Sequence, residues 1–108
     1  MAEPNPTFKL RRAKRVRERW LVGVDVSPEL FPGDTAASQQ IKAFEWANAA
    51  RGTEVTGTIL ASPSLEGNTA KVALTDGVDG KDYLIDFAVT TTGGDVIVQT
   101  LVLAVRGA

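Results

Sequence analysis

The chain contains neither cysteine nor histidine. Without cysteine there is no disulfide framework and no thiolate nucleophile. Without histidine the commonest general base and the commonest transition-metal ligand are missing, so a metal site would need carboxylates alone. Long apolar runs are lacking too. No stretch approaches the roughly 20 residues that span a bilayer. Residues 1–8 are polar and carry Pro4 and Pro6, and a basic stretch follows them where a signal peptide would have its apolar segment. No GxxxxGK[ST], GxGxxG or SxxK pattern occurs. Enzymatic activity, a cofactor, a metal and a membrane association are therefore not expected. What is present is a chain of 108 residues, 44% hydrophobic, long enough for one core.

The net charge of −1 conceals an asymmetry. Residues 1–19 hold Lys9, Arg11, Arg12, Lys14, Arg15, Arg17 and Arg19 against Glu3 and Glu18. The other 89 residues hold five basic and eleven acidic side chains. A basic arm over residues 1–19, extended or forming a short helix, thus precedes an acidic body over residues 20–108. Phe8, Leu10 and Val16 are its apolar anchors. Three readings fit the arm: a contact to an acidic protein surface, a solvated lead-in, and a contact to nucleic-acid phosphates. The first is favoured, because arginine's planar fork holds carboxylates in paired contacts and no RNA-binding signature accompanies the arm.

From Trp20 the pattern has period two. Trp20, Val22, Val24 and Val26 alternate with Leu21, Gly23 and Asp25, a strand that Pro28 ends. Pro32-Gly33 predicts a type II turn, with Leu30 and Phe31 tucked onto the core. Residues 34–50 fit a helix by alanine content, but Ile41 and Ala43, with a bulge before Phe44 and Trp46, favour a strand. Arg51-Gly52 reads as a turn, Thr53–Leu60 as a strand, 63–68 as a turn region and Thr69–Thr75 as a strand. Lys81–Thr91 carries the strongest signal, with Tyr83, Ile85, Phe87 and Val89 on one face. Gly93-Gly94-Asp95 closes a hairpin onto Val96–Val105, with Leu101, Leu103 and Val105 inward. Short strands about every ten residues predict an all-β sandwich or barrel.

Asp76-Gly77-Val78-Asp79-Gly80 has the wrong spacing for an EF-hand and lacks its bidentate glutamate, so a turn is the better reading. The tryptophans Trp20 and Trp46 are divided by expectation between core and interface.

The order of these blocks is familiar. VDVSPELFPGDTAAS, with Asp25, Ser27, Gly33, Asp34 and Thr35, resembles the tailed-phage fiber–tail adaptors and related head–tail accessory proteins. NTAKVALTDGVDGKDYLIDFAVTTTGGDVIVQTLVLAV is similar in its Gly77…Gly80 turn, Tyr83, the Thr90–Gly93 hairpin lead-in and a last strand ending at Val105. The resemblance covers residues 20–106 and leaves the arm outside. The family pattern has tryptophan where this chain has Val26, and a shorter, less basic N-terminus. The resemblance implies an immunoglobulin-like β-sandwich without catalysis. It implies a structural virion protein, made in the host cytoplasm, that docks a fiber, tail or head accessory component onto a neighbouring ring or shell protein. Its partners would be other virion proteins or copies of itself in a symmetric ring. The alternative is a free β-sandwich binding domain whose arm contacts nucleic acid or an acidic protein.

Overall fold

A computed structural model describes residues 13–47 and 50–108, together with the backbone of residues 7–9. Eight strands form two sheets: β1 (Thr7–Lys9), β2 (Trp20–Asp25), β3 (Ala36–Ala47), β4 (Ala50–Glu54), β5 (Leu60–Glu66), β6 (Thr69–Leu74), β7 (Asp82–Thr91) and β8 (Val96–Ala104). One sheet has the order β1-β8-β7-β3-β4 and the other β2-β6-β5. β1 lies parallel to β8, with Phe8 opposite Leu101, an isolated bridge joins Lys14 to Val105 in the same sense, and the other strand pairings among the described residues are antiparallel. The architecture is a β-sandwich.

The period-two faces meet between the sheets. Tyr83, Ile85, Phe87 and Val89 of β7 join Leu101 and Leu103 of β8, Ile41 and Ala43 of β3, and Ala70, Val72 and Leu74 of β6 in one core. Val26 and Val105, just beyond β2 and β8, are fully buried in it. Each large aliphatic side chain buried this way contributes about 1.5–3 kcal/mol. Trp20, Val22 and Val24 of the edge strand β2 pack on this core while staying half-buried. Trp46 is half-buried at the end of β3.

The strand reading holds over Ala36–Ala47, and the pairing with β4 is irregular opposite Phe44–Trp46, where the extra residue lies in β4 and not before Phe44 in β3. The next stretch departs from expectation. Arg51 and Gly52 lie inside β4, not in a turn. The expected strand over Thr53–Leu60 is instead the end of β4, a one-turn helix α1 (Thr56–Ile59) and the start of β5. The chain must leave one sheet for the other here, and a helical turn makes the crossing. It drops Ile59 fully into the core, while the Thr56 hydroxyl accepts the Ala43 N–H at 3.1 Å. The turn read at residues 63–68 is reduced to Gly67-Asn68, because β5 runs through Pro63 to Glu66. Proline is tolerated there for two reasons: β5 is an edge strand, and its register shifts between Ala61 and Ser64, where Ser62 takes φ 53°. Phe31 does not tuck in; it is 67% exposed.

Candidate docking surfaces

The strands carry the marked turn positions to two opposite ends. At one end lie the termini Asp25, Ala36, Thr69 and Thr91; at the other lie Trp20, Leu74, Asp82 and Ala104.

Asp34 organises the first end. The Asp34 N–H donates to Phe31 O at 3.0 Å across a turn in which Gly33 has φ 84°, the type II geometry expected of Pro32-Gly33. The Asp34 carboxylate then reaches the β7–β8 hairpin. It accepts the Thr92 hydroxyl, the Gly93 N–H at 3.0 Å and the Thr35 N–H at 2.9 Å. These bonds, the Thr92 hydroxyl foremost, hold its pKa below the usual carboxylate value. Gly93 leaves room for this approach, since a Cβ there would stand 3.0 Å from Asp34 Oδ2 and the carboxylate would have to give way by a few tenths of an ångström. Asp25 accepts the Ser27 N–H at 2.9 Å, and its pKa is likewise lowered, mainly by the Ser27 side chain. Asn68 ties the two loops together through Val26 N–H to its carbonyl and Ala36 N–H to its Oδ1, both 2.9 Å. The Gln99 amide donates to Glu29 at 3.0 Å. The surface of this end is thus acidic: Asp25, Glu29, Asp34 and Asp95, with no lysine or arginine in loops 26–35, 67–68 or 92–95.

The other end is built around a cation. Lys14 is fully buried, and its Nζ donates to the carbonyls of Asp76 at 2.8 Å, Arg15 at 2.9 Å and Val16 at 3.3 Å. Burial lowers its pKa, against the opposing pull of Asp76 and Glu18. The backbone around it joins the C-terminal strand. Lys14 N–H donates to Ala104 O, Arg106 N–H to Lys14 O and Val16 N–H to Gly107 O, all within 2.9 Å. Lys14 and the core-packed Val16 therefore belong to the body and are not available as docking contacts. Arg15, Arg17 and Arg19 are exposed beside them. Of the remaining arm residues, Phe8 and Lys9 are placed by their backbone in β1, and Leu10, Arg11 and Arg12 lie outside the described residues.

The Gly77…Gly80 turn sits at this same end. Gly77 has φ 98°, and a Cβ on it would fall 2.9 Å from Val105 Cγ2. Gly80 N–H donates to Val105 O at 2.8 Å. The Tyr83 hydroxyl accepts the Val78 N–H at 2.9 Å. The aspartates of this segment diverge: Asp79 takes the Gly107 N–H and Asp82 pairs with Arg106, each at 2.8 Å. Among the described residues no cluster of three or more potential ligands could hold a metal ion, and no helix is long and apolar enough to cross a membrane. Sequence reasoning missed Asn68 and the burial of Lys14. A lysine inside a run of basic residues gives no local sign that it alone is folded in.

A comparison with curated proteins found no match. Residues 14–104 match a family described as podophage GP4 fiber-tail adaptor protein gp77, beginning at the residue whose side chain is locked under the body. That match spans the body, both sets of turn positions and the root of the arm, and the chain accordingly belongs to the podophage fiber-tail adaptor family of non-enzymatic, structural phage proteins.

Proposed function

We propose that the chain acts in the virion as an immunoglobulin-like adaptor whose basic arm, residues 1–19 anchored at Lys14, docks onto an acidic face of a neighbouring tail or ring protein. The strand order supports the immunoglobulin-like reading. β2-β6-β5 corresponds to the B-E-D strands, and β8-β7-β3-β4 to G-F-C with an added strand, while β1 takes a position beside the last strand. Tyr83 adds to it: it stands at the start of β7 and its hydroxyl binds backbone five residues upstream, as in a tyrosine corner. Domain division follows the same lines, with an arm over residues 1–19 that β1 and Lys14 tie to the sheet and a single body over residues 20–108.

The observation that carries the docking reading is the split behaviour of the basic run. Lys14 is spent inside the body, whereas Arg15, Arg17 and Arg19 form no ion pair among the described residues. Anchoring the root in this way fixes where the arm leaves the sandwich, which lowers the entropy lost when it engages a partner. Replacing Lys9, Arg11 and Arg12 by glutamate should leave the melting temperature within a few degrees of wild type while removing the protein from assembled particles. Retained incorporation would defeat the docking reading; binding to duplex DNA with a steep salt slope would favour the nucleic-acid alternative.

A further inference from the structure

We propose that the acidic end of one copy docks head-to-tail on the basic end of a second copy, with Phe31 inserted as the apolar anchor. This contact is separate from docking of the upstream arm and uses only residues of the body and the arm's root.

Phe31 is 67% exposed at the tip of the loop that joins β2 to β3, flanked by Glu29 and Asp34. A large aromatic ring left in water at a loop tip, inside a rim of charge, has the make-up of an interface hot spot. Neither fold nor turn needs it there: Phe31 contributes its backbone carbonyl to the turn, and its ring is not part of the core cluster. The opposite end offers what such a plug requires. Val78 is 53% exposed on the 75–81 loop and supplies apolar surface between the exposed Asp76 and Asp79, the latter held on the Gly107 N–H. Arg15, Arg17 and Arg19 surround the same end, since Lys14 is bonded to Asp76 of that loop. Arginine planes stack on aromatic rings and fork onto carboxylates, so one set of side chains can meet both Phe31 and its acidic rim.

The two surfaces lie on opposite ends of the same strands, so they cannot meet within one copy. β7 alone runs ten residues, about 33 Å, along a body whose longest dimension is 44 Å. The contact is therefore heterologous and propagates from copy to copy. The transverse dimensions of 30 and 24 Å limit an end-on contact to roughly 550 Å² per partner, near the lower bound for specific interfaces. Association of the free protein should accordingly be weak and salt-dependent.

Sedimentation of the full chain tests this. At 50 mM salt the weight-average mass should rise with concentration, with a dissociation constant on the order of 0.1–1 mM, and the rise should vanish at 500 mM salt. Phe31→Ser, in an exposed loop, should weaken association about tenfold or more. Arg15→Glu/Arg17→Glu/Arg19→Glu and Glu29→Lys/Asp95→Lys should each abolish it, and an equimolar mixture of these two variants should associate again, because each reversed end then meets its complement. Circular dichroism of every variant identifies any that fails to fold, in which case Phe31→Ser decides. A monomer at all concentrations, association insensitive to Phe31→Ser, or no recovery in the mixture of folded variants would overturn the proposal. Since only this one protein is used, the outcome is independent of whether the arm binds another virion component.

Discussion

The two ends of the sandwich solve the same problem differently, one with carboxylates and the other with a buried ammonium beside carboxylates. Turns leave backbone groups without ladder partners, and those groups must be satisfied. At the Phe31 end the unpaired groups are N–H donors: Thr35, Gly93 and Ser27 are met by the carboxylates of Asp34 and Asp25. At the other end carbonyls are capped as well: those of Val16 and Asp76, and that of Arg15, which also accepts the Glu18 N–H, are met by the ammonium of Lys14, while Asp79 and Glu18 take the Gly107 and Arg15 N–H groups. The acidic groups remain at the surface, whereas the lysine is enclosed. One consequence is electrostatic. The rules that cap the turns also leave one end acidic, while the other gathers the exposed Arg15, Arg17 and Arg19 together with Asp76 and Asp79.

The comparison can be broken most sharply at Lys14. Lys14→Ala removes a buried side chain and takes the ammonium from the carbonyls of Val16 and Asp76, while Arg15 O keeps the Glu18 N–H, so a loss of about 2–4 kcal/mol is expected in denaturant unfolding. Lys14→Met keeps the apolar stem and should cost less; equal losses would mean that the ammonium bonds dominate. A loss below about 0.5 kcal/mol for Lys14→Ala would show that the arm root is not held as described.

Tyr83→Phe is the next test. It keeps the ring in the core but leaves the Val78 N–H without its acceptor, which should cost about 1–3 kcal/mol. No change in stability would mean that water replaces the hydroxyl, and that the Gly77–Gly80 loop is held by its Val105 contacts alone.

Asp34 should give the smallest effect, and its signature is pH dependence. Its folded pKa is lowered, so the folded state binds fewer protons than the unfolded chain. Its contribution is complete above the ordinary aspartate value of about 3.9 and is lost as pH falls from there through the folded pKa. The melting-temperature difference between wild type and Asp34→Asn should therefore be present at pH 7 and shrink below about pH 4. A difference that stays constant into acid would mean that shape, rather than charge, makes Asp34 useful.

Alternation alone identified the β class and the inward faces of β7 and β8, since period two is a property of neighbouring residues, whereas the alanine content of residues 34–50 left a helix competing with the strand that became β3. The Pro32-Gly33 turn was legible for the same reason. Gly77 was marked as a turn residue, although only the structure reveals the closeness of Val105. The charge imbalance between arm and body could be read by counting. Other features needed distant segments to meet. Asp34 and Thr92 are 58 positions apart, and Lys14 and Asp76 are 62 apart. No local pattern distinguishes the lysine that is buried from the arginines that stay in water. α1 replaced an expected strand because the chain had to cross between sheets, a demand set by the sandwich and invisible in Thr56–Ile59 itself. Local periodicity thus determined which residues turn inward, and the closing of the two sheets decided which backbone groups were left to be capped, and so where the charge lies.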